Sequence, residues 1–288
     1  MTLIEIATAA LDRVEVEDRI RQALAEDIGD GDVTTQCTVP AGLEMQGRFI
    51  AKEAGIIAGL TVADLVFGSL DEAVQFTPLV GDGDSVEPGQ VVATVRGAGR
   101  ALLSGERVAL NFMQRMGGIA SLTHQFVKAV QGTKAVILDT RKTAPGLRAF
   151  DKWAVRLGGG QNHRTGLYDM VLIKENHITA VGSITATVER VRNGDPQKRP
   201  IEVEVKDLKE LEEALALNLD RILLDNMTLD QMAEAVQLTN GRTPLEASGN
   251  MSLERVAAVA ATGVDYISVG ALTHSVRALD ISLLLADL

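Results

Sequence analysis

The chain of 288 residues has one cysteine, Cys37, which excludes an internal disulfide and a cysteine-built metal cluster. Aromatic residues are scarce at 3%, while Ala, Val, Leu and Gly are plentiful, the composition of tightly packed α/β layers. No run approaches 18 apolar residues, so no membrane span is expected. The opening "MTLIEIATAALDRVEVEDRI" lacks a basic stretch followed by an apolar core and does not read as a signal peptide. Positive charge is in short supply: 28 Lys and Arg stand against 39 Asp and Glu, for a net charge of −11. That balance argues against nonspecific nucleic-acid binding, which needs a broad basic face. A cytoplasmic location is expected, with neither nucleic acid nor membrane as a partner.

Residues 139–174 run against this acidic background. Arg141, Lys142, Arg148, Lys152, Arg156, Arg164 and Lys174 face only Asp139, Asp151 and Asp169. A small basic pocket in an acidic molecule suggests a small, highly anionic ligand. Arg148, Lys152 and Arg156 read as solvated helix charge. Arg141, Lys142 and Lys174 do not, because they sit directly against the ends of apolar, strand-like runs.

Residues 3 to about 26 show helical spacing, through Leu3, Ile6, Ala7, Ala10 and Leu11. From roughly 36 to 98 short strand patterns alternate with turn signals, suggesting a small α/β domain on an open sheet. "EDIGDGDVTT" (26–35) lacks the glutamate and spacing of a calcium loop and reads as a turn and helix cap. "GDGDSVEPGQVVATVRG" (81–97) has the look of a lipoyl- or biotinyl-carrier hairpin, but no displayed lysine follows. The stretch reads as structural, and "RALLSGERVALNFMQR" after it reads as helix.

Beyond about residue 115 the chain repeats strand and helix. The strand candidates are AVILDT (135–140), DMVLIK (169–174), IEVEV (201–205), RILLD (221–225), PLEAS (244–248) and YISVG (266–270). The later ones recur about every 20 to 23 residues, as βα units of a parallel sheet do. Six or seven units suit an α/β barrel short of eight strands, with an open doubly wound sheet as runner-up. Arg141, Lys142, Lys174, Glu204, Asp225, Ser248 to Asn250 and Gly270 all fall at strand C-terminal ends, which converge on one mouth in a parallel barrel.

At that mouth Arg141, Arg164 and Lys174, with His163, form a cationic patch suited to carboxylates, which arginine grips bidentately. Glu204 and Asp225 can bind ribose hydroxyls, hold a divalent cation, or act as acid and base. A tight zinc site is not expected with so few histidines. "ASGNM" (247–251) and "SVGALTHS" (268–275) place small residues between a strand and a helix, where backbone amides and helix N-termini hold phosphates. The ligand therefore combines a phosphate, a ribose-like polyol and further carboxylates or a diphosphate.

Nearly end to end, the chain resembles the quinolinate phosphoribosyltransferase (decarboxylating) family. The resemblance rests on "ALAEDIGDGDVTT" (23–35), "SGERVALNFMQRMGGIA" (104–120), "DTRKTAPGLRAFDKWAVRLGGGQNHRTGLYDMVLIKENHI" (139–178), "IEVEV", "LLDNM" (223–227), "EASGN" (246–250) and "GVDYISVGALTHS" (263–275). It implies an N-terminal open-faced α/β sandwich domain over 1–115, with a C-terminal closing helix considered as part of it. It also implies an incomplete (β/α) barrel catalytic domain over 116–288, of the type II phosphoribosyltransferase kind. The implied reaction joins quinolinate to phosphoribosyl pyrophosphate with magnesium. It yields nicotinate mononucleotide, pyrophosphate and carbon dioxide, with no prosthetic group.

By the same resemblance Arg141, His163, Arg164 and Lys174 hold the quinolinate dicarboxylate, helped by Arg107, and Lys142 bridges quinolinate and the pyrophosphate side. Thr140 joins the substrate-binding set. Glu204 and Asp225 bind ribose hydroxyls and magnesium, largely through substrate and water. Ser248, Gly249, Asn250, Val269, Gly270 and Ala271 surround the 5′-phosphate. Lys142, Glu204 and Asp225 are the implied catalytic residues. A homodimer, or an assembly of dimers, with shared sites is also implied. The alternative is a molybdenum-uptake-related paralogue with the same fold and another substrate, which the full set of Arg141, Arg164 and Lys174 disfavours.

Overall fold

A computed structural model describes residues 13–287, so the helical pattern from residue 3 lies partly outside the described residues. The chain divides into two compact units interleaved along the sequence. One comprises residues through His124, Ala144–Gly159 and the segment from Val276; the other comprises Gln125–Thr143 and Gly160–Ser275.

In the first unit, α1 (Arg13–Ile28) and α2 (Val33–Thr38) precede β1 (Glu44–Ala51), β2 (Gly55–Ile56) and α3 (Leu60–Leu70). The "EDIGDGDVTT" stretch is indeed a turn and a cap. Asp32 stands at the N-cap of α2 and accepts from Thr35 N at 2.9 Å, satisfying one of the orphan amides of the first turn. β3 (Gln75–Pro78), β4 (Ser85–Val86) and β5 (Val91–Ala98) follow. β4 pairs with β2 and β5 pairs with β1 and β3, so the carrier-like stretch serves two sheets of this unit.

The C-terminal segment is not a closing helix. It forms β12 (Ile281–Asp287), the antiparallel edge partner of β1 in the sheet order β12-β1-β5-β3. Its apolar run suits either element, and the edge of β1 decides in favour of the ladder. β1 buries Gly47, Phe49 and Ala51 on one face, and Phe49 meets Phe67 of α3 and Phe76 of β3 edge-on at 6.1 and 5.6 Å. The long helix α4 (Gly99–Ala129) begins directly after β5.

The second unit carries β6 (Val136–Leu138), and α5 (Arg148–Leu157) intervenes as part of the first unit. On α5, Arg156 is exposed and Arg148 half-buried, but Lys152 is buried at 4% exposure, which corrects its reading as solvated charge. The cause is local: Asp151 through Val155 are all buried, so this turn of the helix has no solvent face. Asp151 receives a bidentate pair of bonds from Arg115, both 2.8 Å.

The second unit continues with β7 (Val171–Ile173), α6 (Glu175–Val181), α7 (Ile184–Gly194), β8 (Ile201–Val205) and α8 (Leu208–Leu215). Next come β9 (Arg221–Asp225), α9 (Leu229–Thr239), β10 (Leu245–Ser248), α10 (Leu253–Ala261), β11 (Tyr266–Ser268) and α11 (Ala271–His274). Its strands are parallel in the order β6-β11-β10-β9-β8-β7. The first strand of this unit pairs with its last, while the first and second share no ladder. A doubly wound sheet reverses direction at an internal strand; this order runs around a ring with one gap. It is the incomplete barrel. Among the described residues no helix is long and apolar enough to cross a membrane.

Candidate active site

Side chains alternate along a strand, so residues two apart share a face. On β8 that puts Glu202 with Glu204, on β9 Arg221 and Leu223 with Asp225, and on β10 Glu246 with Ser248. The opposite parity, Val203, Val205, Ile222, Leu224 and Ala247, is wholly buried and apolar. The inward face opens at the strand C-termini into a cavity of about 820 Å³.

Most of the expected residues meet there. Thr140, Arg141 and Lys142 follow β6, His163 and Arg164 come from the loop before β7, and Lys174 caps α6. Glu204 and Asp225 end β8 and β9 at the wall, and Ser248, Gly249, Asn250, Gly270 and Ala271 close the side formed by the last two strands. Lys142 is exposed, and its carbonyl accepts from Thr273 Oγ1 at 2.9 Å, which ties the loop after β6 to α11.

Charge is paired across the mouth. Lys174 Nζ donates to Glu204 Oε2 at 2.7 Å. Arg164 is half-buried, and that burial, with the Arg141 guanidinium nearby, holds its pKa below the usual arginine range. An anion entering between Arg141 and Arg164 would offset that lowering by its opposite charge. The loop that carries His163 and Arg164 is set by Asp139 at 0% exposure. Its Oδ1 accepts from His163 N at 2.9 Å and its Oδ2 from Asn162 Nδ2 at 2.6 Å.

His163 sits deeper than a surface ligand. Its Nε2 lies 2.9 Å from Glu202 Oε2 and 3.4 Å from Glu246 Oε2, both wholly buried carboxylates. Burial alone would pull the imidazole pKa down, but the two carboxylates outweigh it and hold it up at about 9. Burial pushes the Glu202 carboxyl up. Burial also works on Glu246, yet His163 and Arg221 prevail and draw it down.

The loop after β10 needs its glycine. Gly249 has φ +99°, and a Cβ there would fall 2.1 Å from Asn226 Oδ1. Asn226 and Asn250 are also left-handed, at φ 55° and 50°, a conformation asparagine tolerates. Arg255 of α10 donates to Met227 O at 3.0 Å and Gly249 O at 3.3 Å, bracing the loops after β9 and β10 together.

Two expected residues lie elsewhere. Val269 is fully buried, and its amide already donates to Leu138 O at 2.9 Å, so it offers a ligand neither side chain nor N–H. It has the wrong parity, between inward-facing Ser268 and Gly270. Arg107 is exposed on α4 and does not line the cavity. Conversely, the lining includes Asn226, Glu246, Met251 and His274, which were not singled out from the sequence. Glu246 had a usable signal, since it shares the parity of Ser248, as Glu202 shares that of Glu204. Asn226 and Met251 lie in irregular segments where no such period applies, and His274 ends a helix of four residues, too short to show one.

Known proteins resemble this chain over most of its length. The family described as "Quinolinate phosphoribosyl transferase, N-terminal domain" matches residues 32–117, and the one described as "Quinolinate phosphoribosyl transferase, C-terminal domain" matches residues 119–284. The chain is 51% identical over 274 residues to the nicotinate-nucleotide pyrophosphorylase [carboxylating] of Mycobacterium leprae, covering 92% of this chain and 95% of that one. It is 47% identical over 283 residues to quinolinate phosphoribosyltransferase [decarboxylating] 1b of Nicotiana tabacum, covering 92% of this chain and 80% of the relative. The crystal structure of NadC from Streptococcus pyogenes superposes with a TM-score of 0.93 at 41% identity, covering 96% of this chain and 99% of that one.

Proposed function

The chain belongs to the quinolinate phosphoribosyl transferase family, and from that premise we propose that the barrel mouth carries out its decarboxylating transfer with the residues described above. The enzyme is a pentosyltransferase that joins quinolinate to phosphoribosyl pyrophosphate. The observation that carries the assignment of the site is the meeting, in one cavity, of Arg141, Arg164 and Lys174 with the carboxylates Glu204 and Asp225. A dicarboxylate needs the first group; a ribose with its hydroxyls needs the second.

Arg141, Arg164 and Lys174 hold the quinolinate carboxylates and turn the ring nitrogen toward the anomeric carbon. Loss of pyrophosphate leaves an oxocarbenium-like ribosyl centre, which Glu204 and Asp225 stabilise through the hydroxyls and their negative charge. Lys142 stands between the two substrates and meets the growing charge on the departing oxygen. The nitrogen's lone pair closes the new C–N bond, and the ring becomes cationic. The bond from C2 to its carboxylate then breaks, the electron pair stays on C2 under the pull of the ring nitrogen, and C2 takes a proton as carbon dioxide leaves. No prosthetic group is required, because the substrate makes its own electron sink.

Glu204 and Asp225 offer hard carboxylate oxygens beside the loops assigned to phosphate, a donor set that suits magnesium held mainly by phosphate oxygens and water. When bound, the ion neutralises charge on the pyrophosphate. Ser248 to Asn250, with Gly270 and Ala271, cradle the 5′-phosphate; glycine at 249 supports that role by letting the loop take φ +99° and pack closely against Asn226. The working form is a cytoplasmic homodimer in which Arg107 reaches quinolinate in the neighbouring subunit's site.

Incubation with quinolinate, phosphoribosyl pyrophosphate and magnesium should give nicotinate mononucleotide and one carbon dioxide per turnover. Nicotinate in place of quinolinate should give little product. Equal turnover of the two would show that the second carboxylate is not read, and would overturn the assignment of the cationic set.

A further inference from the structure

Beneath the mouth lies a buried charged layer that the reaction above does not use. Glu202 of β8 and Glu246 of β10 are both at 0% exposure, on the strands either side of β9. Arg221, at the start of β9, is the register partner of Glu202 and donates to Glu246 Oε2 at 2.8 Å. Tyr266 of β11, the register partner of Glu246, lies with its ring 4.1 Å beneath the Arg221 guanidinium. His163 completes the layer from above.

Such a layer is costly. Buried carboxylates usually gather several hydrogen bonds, yet Oε1 of Glu202 and Oε1 of Glu246 make none, and Glu202 Oε2 faces His163 Nε2 at 2.9 Å. What faces them is charge: Arg221 on one side and His163 Nε2 on the other. With the imidazole protonated, two negative and two positive groups balance. The ligand atoms of His163, Glu202 and Glu246 lie within 4.8 Å of one another, as in a metal site. A divalent ion there would have to displace the His163 proton and sit against the Arg221 guanidinium, leaving net positive charge where the protonated ring already balances the set.

We propose that Glu202 and Glu246 are positioning residues for the dicarboxylate half of the site: with Arg221 they fix the His163 ring, and through it the backbone that presents Arg164. The next link is short. Arg164 N lies 2.7 Å from His163 Nδ1, and Asp139 holds His163 N from the other side. The ring is thus held at Nε2 by the buried layer, and any shift of the ring moves the adjoining backbone of Arg164, whose other anchor is the Asp139 bond to His163 N. Glu202 and Glu246 therefore bear on quinolinate through the His163 ring, while toward the ribose and phosphate groups they connect only along their own strands, to Glu204 and Ser248. The inference rests on the dicarboxylate reading of the mouth given above.

The test is Glu202→Gln, which keeps the shape of the side chain and leaves Glu246 paired with Arg221. Calorimetry would measure binding of quinolinate alone and, separately, of phosphoribosyl pyrophosphate with magnesium. Quinolinate binding should weaken roughly ten-fold or more, with phosphoribosyl pyrophosphate binding within about two-fold of wild type. The effect should vanish in a His163→Asn background, because a residue acting through His163 has nothing left to position. Unchanged quinolinate binding, equal loss for both ligands, or full additivity with His163→Asn would overturn the proposal. Should Glu202→Gln not fold, Glu246→Gln/Arg221→Gln removes one charge of each sign and must show the same split between ligands. A wild-type protein that binds quinolinate but makes no nicotinate mononucleotide would overturn the reaction and leave these outcomes readable. One that does not bind quinolinate would overturn both.

Discussion

Lys174 Nζ and Glu204 Oε2 lie 2.7 Å apart across the barrel mouth. The cation assigned to the dicarboxylate and the carboxylate assigned to the ribose therefore hold each other before either substrate arrives. Binding must part or share this pair, so the halves of the site are electrostatically linked. Partly exposed, the pair contributes little to stability; its effect belongs to substrate affinity.

Glu204→Gln should release Lys174 while removing a charge from the ribose side. The KM for phosphoribosyl pyrophosphate should rise roughly ten-fold or more and the KM for quinolinate should hold or fall, since Lys174 no longer has a competing partner. Steady-state kinetics in both substrates decides this. A rise confined to quinolinate would mean that Glu204 serves the other half of the site.

Lys142→Ala tests the contact with the departing pyrophosphate. Loss of one transition-state electrostatic contact costs on the order of 100-fold in kcat. The side chain is exposed, and the Thr273 bond is made to its backbone carbonyl, so thermal stability should be unchanged. Near-normal turnover would remove Lys142 from the catalytic set.

The ring of parallel strands was legible because IEVEV and RILLD are strands to the residue, with Glu204 and Asp225 standing where the chain leaves the sheet. What lay hidden was parity inside the strands. Glu202 reads as one more charge in an alternating run until the opposite wall is known, and the balancing Arg221 and His163 come from other strands and loops. The C-terminal run "ISLLLAD" is ambiguous for the same reason, since its strand partner, β1, lies more than 200 residues away in sequence. Contacts between distant segments decide such cases, and no local period encodes them.

His163 predicts a pH dependence of stability. Its folded pKa is raised from 6.5 to about 9, so the folded state keeps a proton that the unfolded state releases. The stabilisation is fully present below about pH 6.5 and is lost as pH rises through 9. A suitable reference is His163→Asn/Glu202→Gln, which retains the Glu246–Arg221 pair. Urea midpoints of the two proteins should converge between pH 6.5 and 9.5 as the wild type loses its advantage. A pH-independent difference would show that the ring is not held charged.

Arg107 tests assembly. It is exposed on α4, and the proposal above has it act in a neighbour's site. In a two-fold dimer such an arrangement is reciprocal, giving two shared sites. Arg107→Ala and Lys142→Ala proteins, each nearly inactive, would be mixed equally and allowed to exchange subunits. Half the dimers are then mixed. In each, one site combines the intact Lys142 of one subunit with the intact Arg107 of the other, while the second site lacks both. Activity should recover to roughly a quarter of wild type by this symmetry. If Arg107 serves its own subunit, every site in a mixed dimer lacks one residue and nothing returns. Subunit exchange verified by tagged copies, with no recovery of activity, would therefore rule out sharing and return Arg107 to its own chain.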